Sequence, residues 1–307
     1  MALLLPPRFG SDSCTWGPTV GAQFGSRLLS VVFSASSRRS AWYQHIPSAL
    51  SERSRIWGQS PFRSRTRRML TIISRPDPRD WHALPYAPRD FTVGLVQGVA
   101  GLKIAFSPTL GYASVNDEVA ALVKAAVSRF VDVGALVELE EPGFVDPSET
   151  FRDHWYTGAA NLRRNITADR RKLLEPGFAA IADLGEQIPH MQYIAATDAR
   201  AAMGHRMNQF HQKFDLLLTP MIPITAFEVG QIAPAGTDQS NWMNWTPFTF
   251  PFNLTQQPAA SIPCGFTSSG LPVALQIVAA KYRDDLVLRA ARAYEVLDPI
   301  KTPNLPD

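Results

Sequence analysis

The sequence predicts an α/β protein: a mixed sheet covered by helices, with a disordered N-terminal segment ahead of it. Three observations carry this. From Met69 onward short apolar runs alternate with longer amphipathic stretches, the order that lays helices against a partly parallel sheet. Hydrophobic residues are 45% and charged residues 19% of the 307, enough to bury a sizeable core. Composition also breaks near residue 69. Residues 1–68 hold ten arginines, thirteen serines, no lysine and only Asp12 and Glu52 as acids, a net +8, whereas residues 69–307 carry 20 basic and 25 acidic side chains, a net −5.

The elements follow in order. Residues 1–68 show no sustained period of 3.6 or 2, and Arg, Ser, Pro and Trp are scattered without a face. Their arginine and serine content fits a transit peptide, but Pro18, Pro47 and Pro61 break the amphipathic helix that one requires. Pro76-Asp-Pro-Arg-Asp80 is a turn, because proline fixes φ and disfavours helix just before it. Leu102–Phe106 reads as a strand. Ser114-Val-Asn-Asp117 has the form of a capping box. Val119, Leu122, Val123, Ala126, Val127 and Phe130 then share one helical face, which Gly134 ends. Ala135–Leu139 is a second strand, and strand–helix–strand at this spacing makes the two strands parallel. Residues 148–213 are helical with interruptions at Pro176 and Pro189, Asp215–Thr219 is a buried strand, and 220–263 is rich in loops and aromatics. Val273–Val278 is a strand and Asp284–Leu297 a closing helix.

Several function classes are excluded at this level. No run approaches the ~18 apolar residues of a membrane-crossing helix. A net charge of +3 is too small to argue for nucleic acid, so neither a membrane nor a nucleic-acid partner is expected. Cys14 and Cys264 cannot build a disulfide framework or a thiolate metal site. No cofactor is implied, and without a legible secretion signal the expected location is cytoplasmic.

Phe250-Pro-Phe-Asn-Leu-Thr-Gln-Gln-Pro-Ala-Ala-Ser-Ile-Pro-Cys-Gly-Phe266 runs on through Gly270–Val278 to Asp284-Asp285 and Leu288–Glu295. This block resembles the C-terminal hallmark of the amidase signature family. Leu216–Pro223 is similar to that family's strand before the substrate region, and Pro76–Asp80 to the linker after its catalytic core. The resemblance covers residues 69–297, with five motifs in family order. It implies an incomplete amidase-signature fold: a C-terminal part of the domain at 69–297 and a tail at 298–307. It also implies hydrolysis of a small-molecule carboxamide. In that chemistry a neutral lysine takes the proton of a nucleophilic serine through a second serine, and backbone donors hold the oxyanion. One departure is visible: the family has a glycine at or near position 257, where this chain reads Asn253-Leu-Thr-Gln-Gln-Pro258.

The residues of that triad are not legible in residues 1–68, so no catalytic residue is assigned. One motif of that machinery, the nucleophile loop, becomes legible one frame over. Taking the third base of each codon with the first two of the next, Trp16–Gly17 forces glycine. The codons from Thr15 to Ser30 then permit Leu-Gly-Thr-Asp-Gly-Gly-Gly-Ser, continuing Ile-Arg-Ile-Pro-Ala-Ala-Phe. Those from Ser30 to Pro47 permit Cys-Gly-Val-Phe-Gly-Leu-Lys-Pro-Thr-Phe-Gly, continuing into Val-Pro-Ala-Tyr-Pro, and Trp42–Tyr43 forces that valine. This is the family's nucleophile loop and the strand after it. The expectation is that residues 1–68 are an out-of-frame segment and that the true frame resumes near Met69.

Phe248, Thr249, Phe252 and Asn253 are the candidate substrate-binding residues, because the resemblance implies that this aromatic stretch walls the substrate channel; ordinary core packing is the competing reading. Other candidates fall away. His205 and His211 are six apart and do not share a helix face, so with His154 and His190 they make no zinc pair. Asp77 and Asp80 read as turn carboxylates, and Cys264 as a buried thiol. Lys103 and Ser107 are four apart on a strand, about 13 Å, too far for proton transfer.

Overall fold

The computed structural model describes residues 29–32, 55–58, 70–72, 74, 89–237 and 242–299. Two short strands, β1 (Leu29–Val32) and β2 (Arg55–Gly58), pair antiparallel. The rest of the first 68 residues, the turn at Asp77 and Asp80, and the tail beyond 299 lie outside the described residues.

The main sheet has five strands in the order β4-β3-β5-β7-β6. They are β3 (Lys103–Phe106), β4 (Leu136–Leu139), β5 (Leu216–Pro220), β6 (Ala259–Phe266) and β7 (Pro272–Ala279). β3 is parallel to both β4 and β5, while β7 runs antiparallel to β5 and β6, so the sheet is mixed. The predicted β3–helix–β4 unit is present. Its helix α1 (Asp117–Asp132) buries Val119, Val123, Ala126, Val127 and Phe130. The cap is Asn116, whose Oδ1 accepts from the Glu118 and Val119 N–H groups at 3.0 and 3.3 Å, and not Ser114. A shorter side chain two residues earlier cannot reach those two orphan donors.

Five helices precede or follow the remaining strands: α2 (Ser148–Arg164), α3 (Ala168–Arg171), α4 (Pro176–Glu186), α5 (His190–Lys213) and α6 (Phe250–Thr255); α7 (Asp284–Leu297) closes the chain. Pro176 and Pro189 start α4 and α5 at the first helical and capping positions, where a missing N–H costs nothing.

Pleating divides the core between two layers. Along β5, Leu216 and Leu218 face α1 and α7, in a cluster with Ile104, Ile277, Phe130 and Tyr294. Leu217 faces the other way, with Ala105, Val278, Met207, Phe210, Phe250 and Phe252. Helices on both faces of a sheet with three neighbouring parallel strands, β4, β3 and β5, put loops at the carboxyl ends of those strands, where ligands of open α/β sheets bind.

Candidate functional site

Three segments meet at that carboxyl-end rim. The loop after β3 begins with Ser107, fully buried, whose N–H donates to the Leu218 carbonyl at 3.0 Å. The Ser107 hydroxyl donates to Glu141 Oε2 and accepts from the Leu110 N–H at 2.9 Å. Thr109 Oγ1 donates to the other Glu141 oxygen at 3.3 Å. Glu141 thus clasps the loops after β3 and β4 together. Leu110 takes a positive φ of 54° at the centre of this clasp, a backbone form that costs a non-glycine residue about 1–2 kcal/mol. The serine's hydroxyl both donates and accepts within this clasp and so holds the loop. Residues 34 apart gave no local signal for this pairing. Both do follow strand ends, which is the cue that could have found them.

Tyr112 ties this loop to the aromatic stretch, its hydroxyl donating to the Pro247 carbonyl at 2.7 Å. Burial, with Asp146 nearby, pushes the phenol far up, so it stays a donor. Gln276 of β7 anchors the same stretch, with Nε2 donating to Thr219 Oγ1 at 3.0 Å and to the Phe248 carbonyl at 2.8 Å.

The four candidate substrate residues sit at two depths. Phe248 and Phe252 are buried at 0% and 2% exposure in the cluster beneath α6, the packing that the competing reading describes. Thr249, the residue that caps α6, and Asn253 within it are part-exposed and lie four residues apart, about one helical turn. The Thr249 hydroxyl donates to the Thr246 carbonyl at 3.0 Å.

The family's missing glycine has a structural counterpart. Gln256, just past α6, takes φ 62°, and Gln257 does not. Glycine reaches this left-handed form freely. Gln256→Gly is expected to stabilise the chain by about 0.5–1 kcal/mol, after the extra unfolded-state entropy of glycine is allowed for, read as a higher denaturant midpoint at unchanged slope.

The rejected candidates separate as chemistry requires. Lys103 opens β3 and Ser107 follows its far end. Burial, with Asp298 nearby, pushes the Cys264 thiol up to about 12, which leaves it protonated and unreactive. Among the described residues no group of three His, Cys, Asp or Glu side chains is arranged to hold a metal ion, and no helix is long and apolar enough to cross a membrane.

A mixed sheet between two helical layers, with its polar clasp at the carboxyl ends of parallel strands, defines an α/β domain. A family model for amidases matches residues 64–288, and the chain belongs to that family. It is 30% identical over 237 residues to an acylamidase from Rhodococcus erythropolis, covering 75% of this chain and 50% of the relative. An amidase from Pseudomonas putida is 29% identical over 74% of this chain and 49% of its own length. Among solved structures, a 6-aminohexanoate cyclic dimer hydrolase superposes with a TM-score of 0.68 at 25% identity, covering 80% of this chain and 54% of that one. A bacterial aryl acylamidase of the amidase signature enzymes gives 0.63 at 26% identity, over 73% and 49%. The chain spans about half the length of the relatives it matches.

Proposed function

We propose that residues 69–297 are the C-terminal part of an amidase domain, and that residues 1–68 are an out-of-frame stretch standing where the nucleophile loop belongs. In an intact reading the domain hydrolyses a small-molecule carboxamide through a Ser–Ser–Lys triad, in the cytoplasm and without metal or cofactor. The chain as written carries no such triad and is inactive. One observation supports this most directly: the change of composition at residue 69 falls beside the start of the family match at residue 64. Coverage of only half of the acylamidase from Rhodococcus erythropolis fits the same reading.

Within this part, Thr249 and Asn253 offer the polar contacts to substrate. Asn253's carboxamide can both donate to and accept from a substrate amide. Phe248 and Phe252 are buried with Phe250 and Leu254 of α6 in one cluster.

Two measurements test the reading. Nucleotide sequence across the codons for residues 1–70 should spell Gly-Thr-Asp-Gly-Gly-Gly-Ser in the shifted frame; any other spelling there removes the out-of-frame proposal. The purified chain should release no aniline from an acyl anilide above the buffer rate, and measurable turnover would overturn its inactivity. The second reading, a non-catalytic homologue that binds a partner or ligand through residues 69–297, requires the 1–68 peptide to be present in cells, which mass spectrometry decides.

A further inference from the structure

The far end of α6 gathers a second set of polar groups that the proposed reaction does not use. Arg200 of α5 donates through Nε to the Leu254 carbonyl at 2.7 Å, and among the described residues its other guanidinium nitrogens have no acceptor. Lys281 stands two residues past β7, and the end of that strand is held at this place because the Ala279 N–H donates to the Pro258 carbonyl at 3.1 Å. Leu254 and Pro258 are four residues apart, so these two contacts bring Arg200 and Lys281 to the same end of α6, and burial followed by the Arg200 charge lowers the pKa of the Lys281 ammonium. Both are partly buried, and neither pairs with a carboxylate among the described residues.

His154 of α2 joins them at 8% exposure, in the field of Arg200 and edge-on to the Tyr193 ring at 5.1 Å. Neither of its ring nitrogens has a hydrogen-bond partner; the Ala196 backbone faces the ring outside hydrogen-bonding geometry. The adjacent acid, Asp153, is taken up by Arg152 at 3.3 Å and by Gln192 at 2.9 Å. Gln257, fully buried beside the Leu254 turn, has an amide nitrogen without an acceptor.

Two like charges partly withdrawn from water, beside a buried unpaired imidazole, cost free energy that no carboxylate among the described residues offsets. An anion entering from solvent offsets it. A planar carboxylate suits the arrangement best, because a guanidinium presents parallel N–H groups to two oxygens while an ammonium adds a point charge beside them. We propose that Arg200, Lys281 and His154 form a binding site for a small-molecule carboxylate at the end of α6 remote from the Ser107–Glu141 clasp. The site stands apart from the amide-hydrolysis reading, since it needs neither the triad nor turnover.

Calorimetric titration of the full chain with sodium benzoate, at ionic strength held constant with sodium chloride, tests it. Saturable one-site binding is expected, weakened at least tenfold in Lys281→Met. Lys281 makes no ion pair among the described residues and faces a like charge, so this variant should melt at or above the wild type, and a loss of binding in it is not a loss of folding. Arg200→Lys, which loses the second N–H of the fork, should weaken binding as well; a circular-dichroism melt shows whether the Leu254 contact survives in it. Absence of saturable binding, benzoate binding unchanged in Lys281→Met, or equal binding of inorganic phosphate would overturn the assignment.

Discussion

Gly185→Ala is expected to destabilise the chain by about 3 kcal/mol, the upper range for overpacking a dense interior. Gly185 lies on α4 where that helix crosses α2, and the two are held together by Arg163 of α2, which pairs with Asp183 at 2.5 Å and Glu186 at 2.7 Å. A methyl group there would overlap the carbonyl carbon and oxygen of Tyr156 and sit 3.1 Å from the Ala160 methyl. Backbone cannot rotate out of the way as a side-chain tip can, so the helices must separate and lose the apolar contact between them. Gly204→Ala, on α5 with open space around it, is the control. It should raise stability by up to about 1 kcal/mol, because alanine has the higher helix propensity. Denaturant melts of the two variants should therefore move in opposite directions. A Gly185→Ala melt within error of the wild type would show that α4 and α2 are not in this contact.

Acid should destabilise the chain through His211 between about pH 6.5 and 4. Burial, set against a hydrogen bond to the Phe214 carbonyl at 3.1 Å and the nearby Asp215, lowers this imidazole to about 4. The hydrogen bond fixes the neutral tautomer, with Nδ1–H donating. In the unfolded chain the same group titrates near 6.5. Between about pH 6.5 and 4 the unfolded state therefore binds a proton that the folded state refuses, and stability rises with pH across that window. The contribution is complete above about 6.5 and is lost as pH falls toward 4, up to about 3 kcal/mol in all. His154 is lowered too, chiefly by burial and then by Arg200, and acts in the same direction. His211→Gln, which can still donate to Phe214 but cannot titrate, should flatten most of this slope in melts between pH 7 and 4. An unchanged slope would place the acid sensitivity elsewhere.

The elements that local pattern could place were placed within a residue or two. α7 runs Asp284–Leu297 as its 3.6-residue stripe requires, and β3, β5 and β7 appear where short apolar runs end at turn residues. β6 was not legible. Its run Ala259–Phe266 has no alternation and holds Pro263 and Gly265, residues that argue against a strand when read alone. It becomes one because β7 pairs along it, with a bulge between Pro263 and Gly265 that absorbs the misfit. α6 and its left-handed successor Gln256 were hidden for a similar reason, since a six-residue helix has too few turns to show a period.

Sequence alone determined the layers, the parallel βαβ unit, the family and the break at residue 69, because these reside in nearest-neighbour pattern and composition. Tertiary structure alone decided what the polar side chains do. Ser107 meets Glu141 across 34 residues and Arg200 meets Leu254 across 54. It also split the aromatic stretch into buried Phe248 and Phe252 and part-exposed Thr249 and Asn253. Periodicity reports which face of an element is buried, whereas partners distant in the chain are chosen only when the sheet closes and their competing water is expelled.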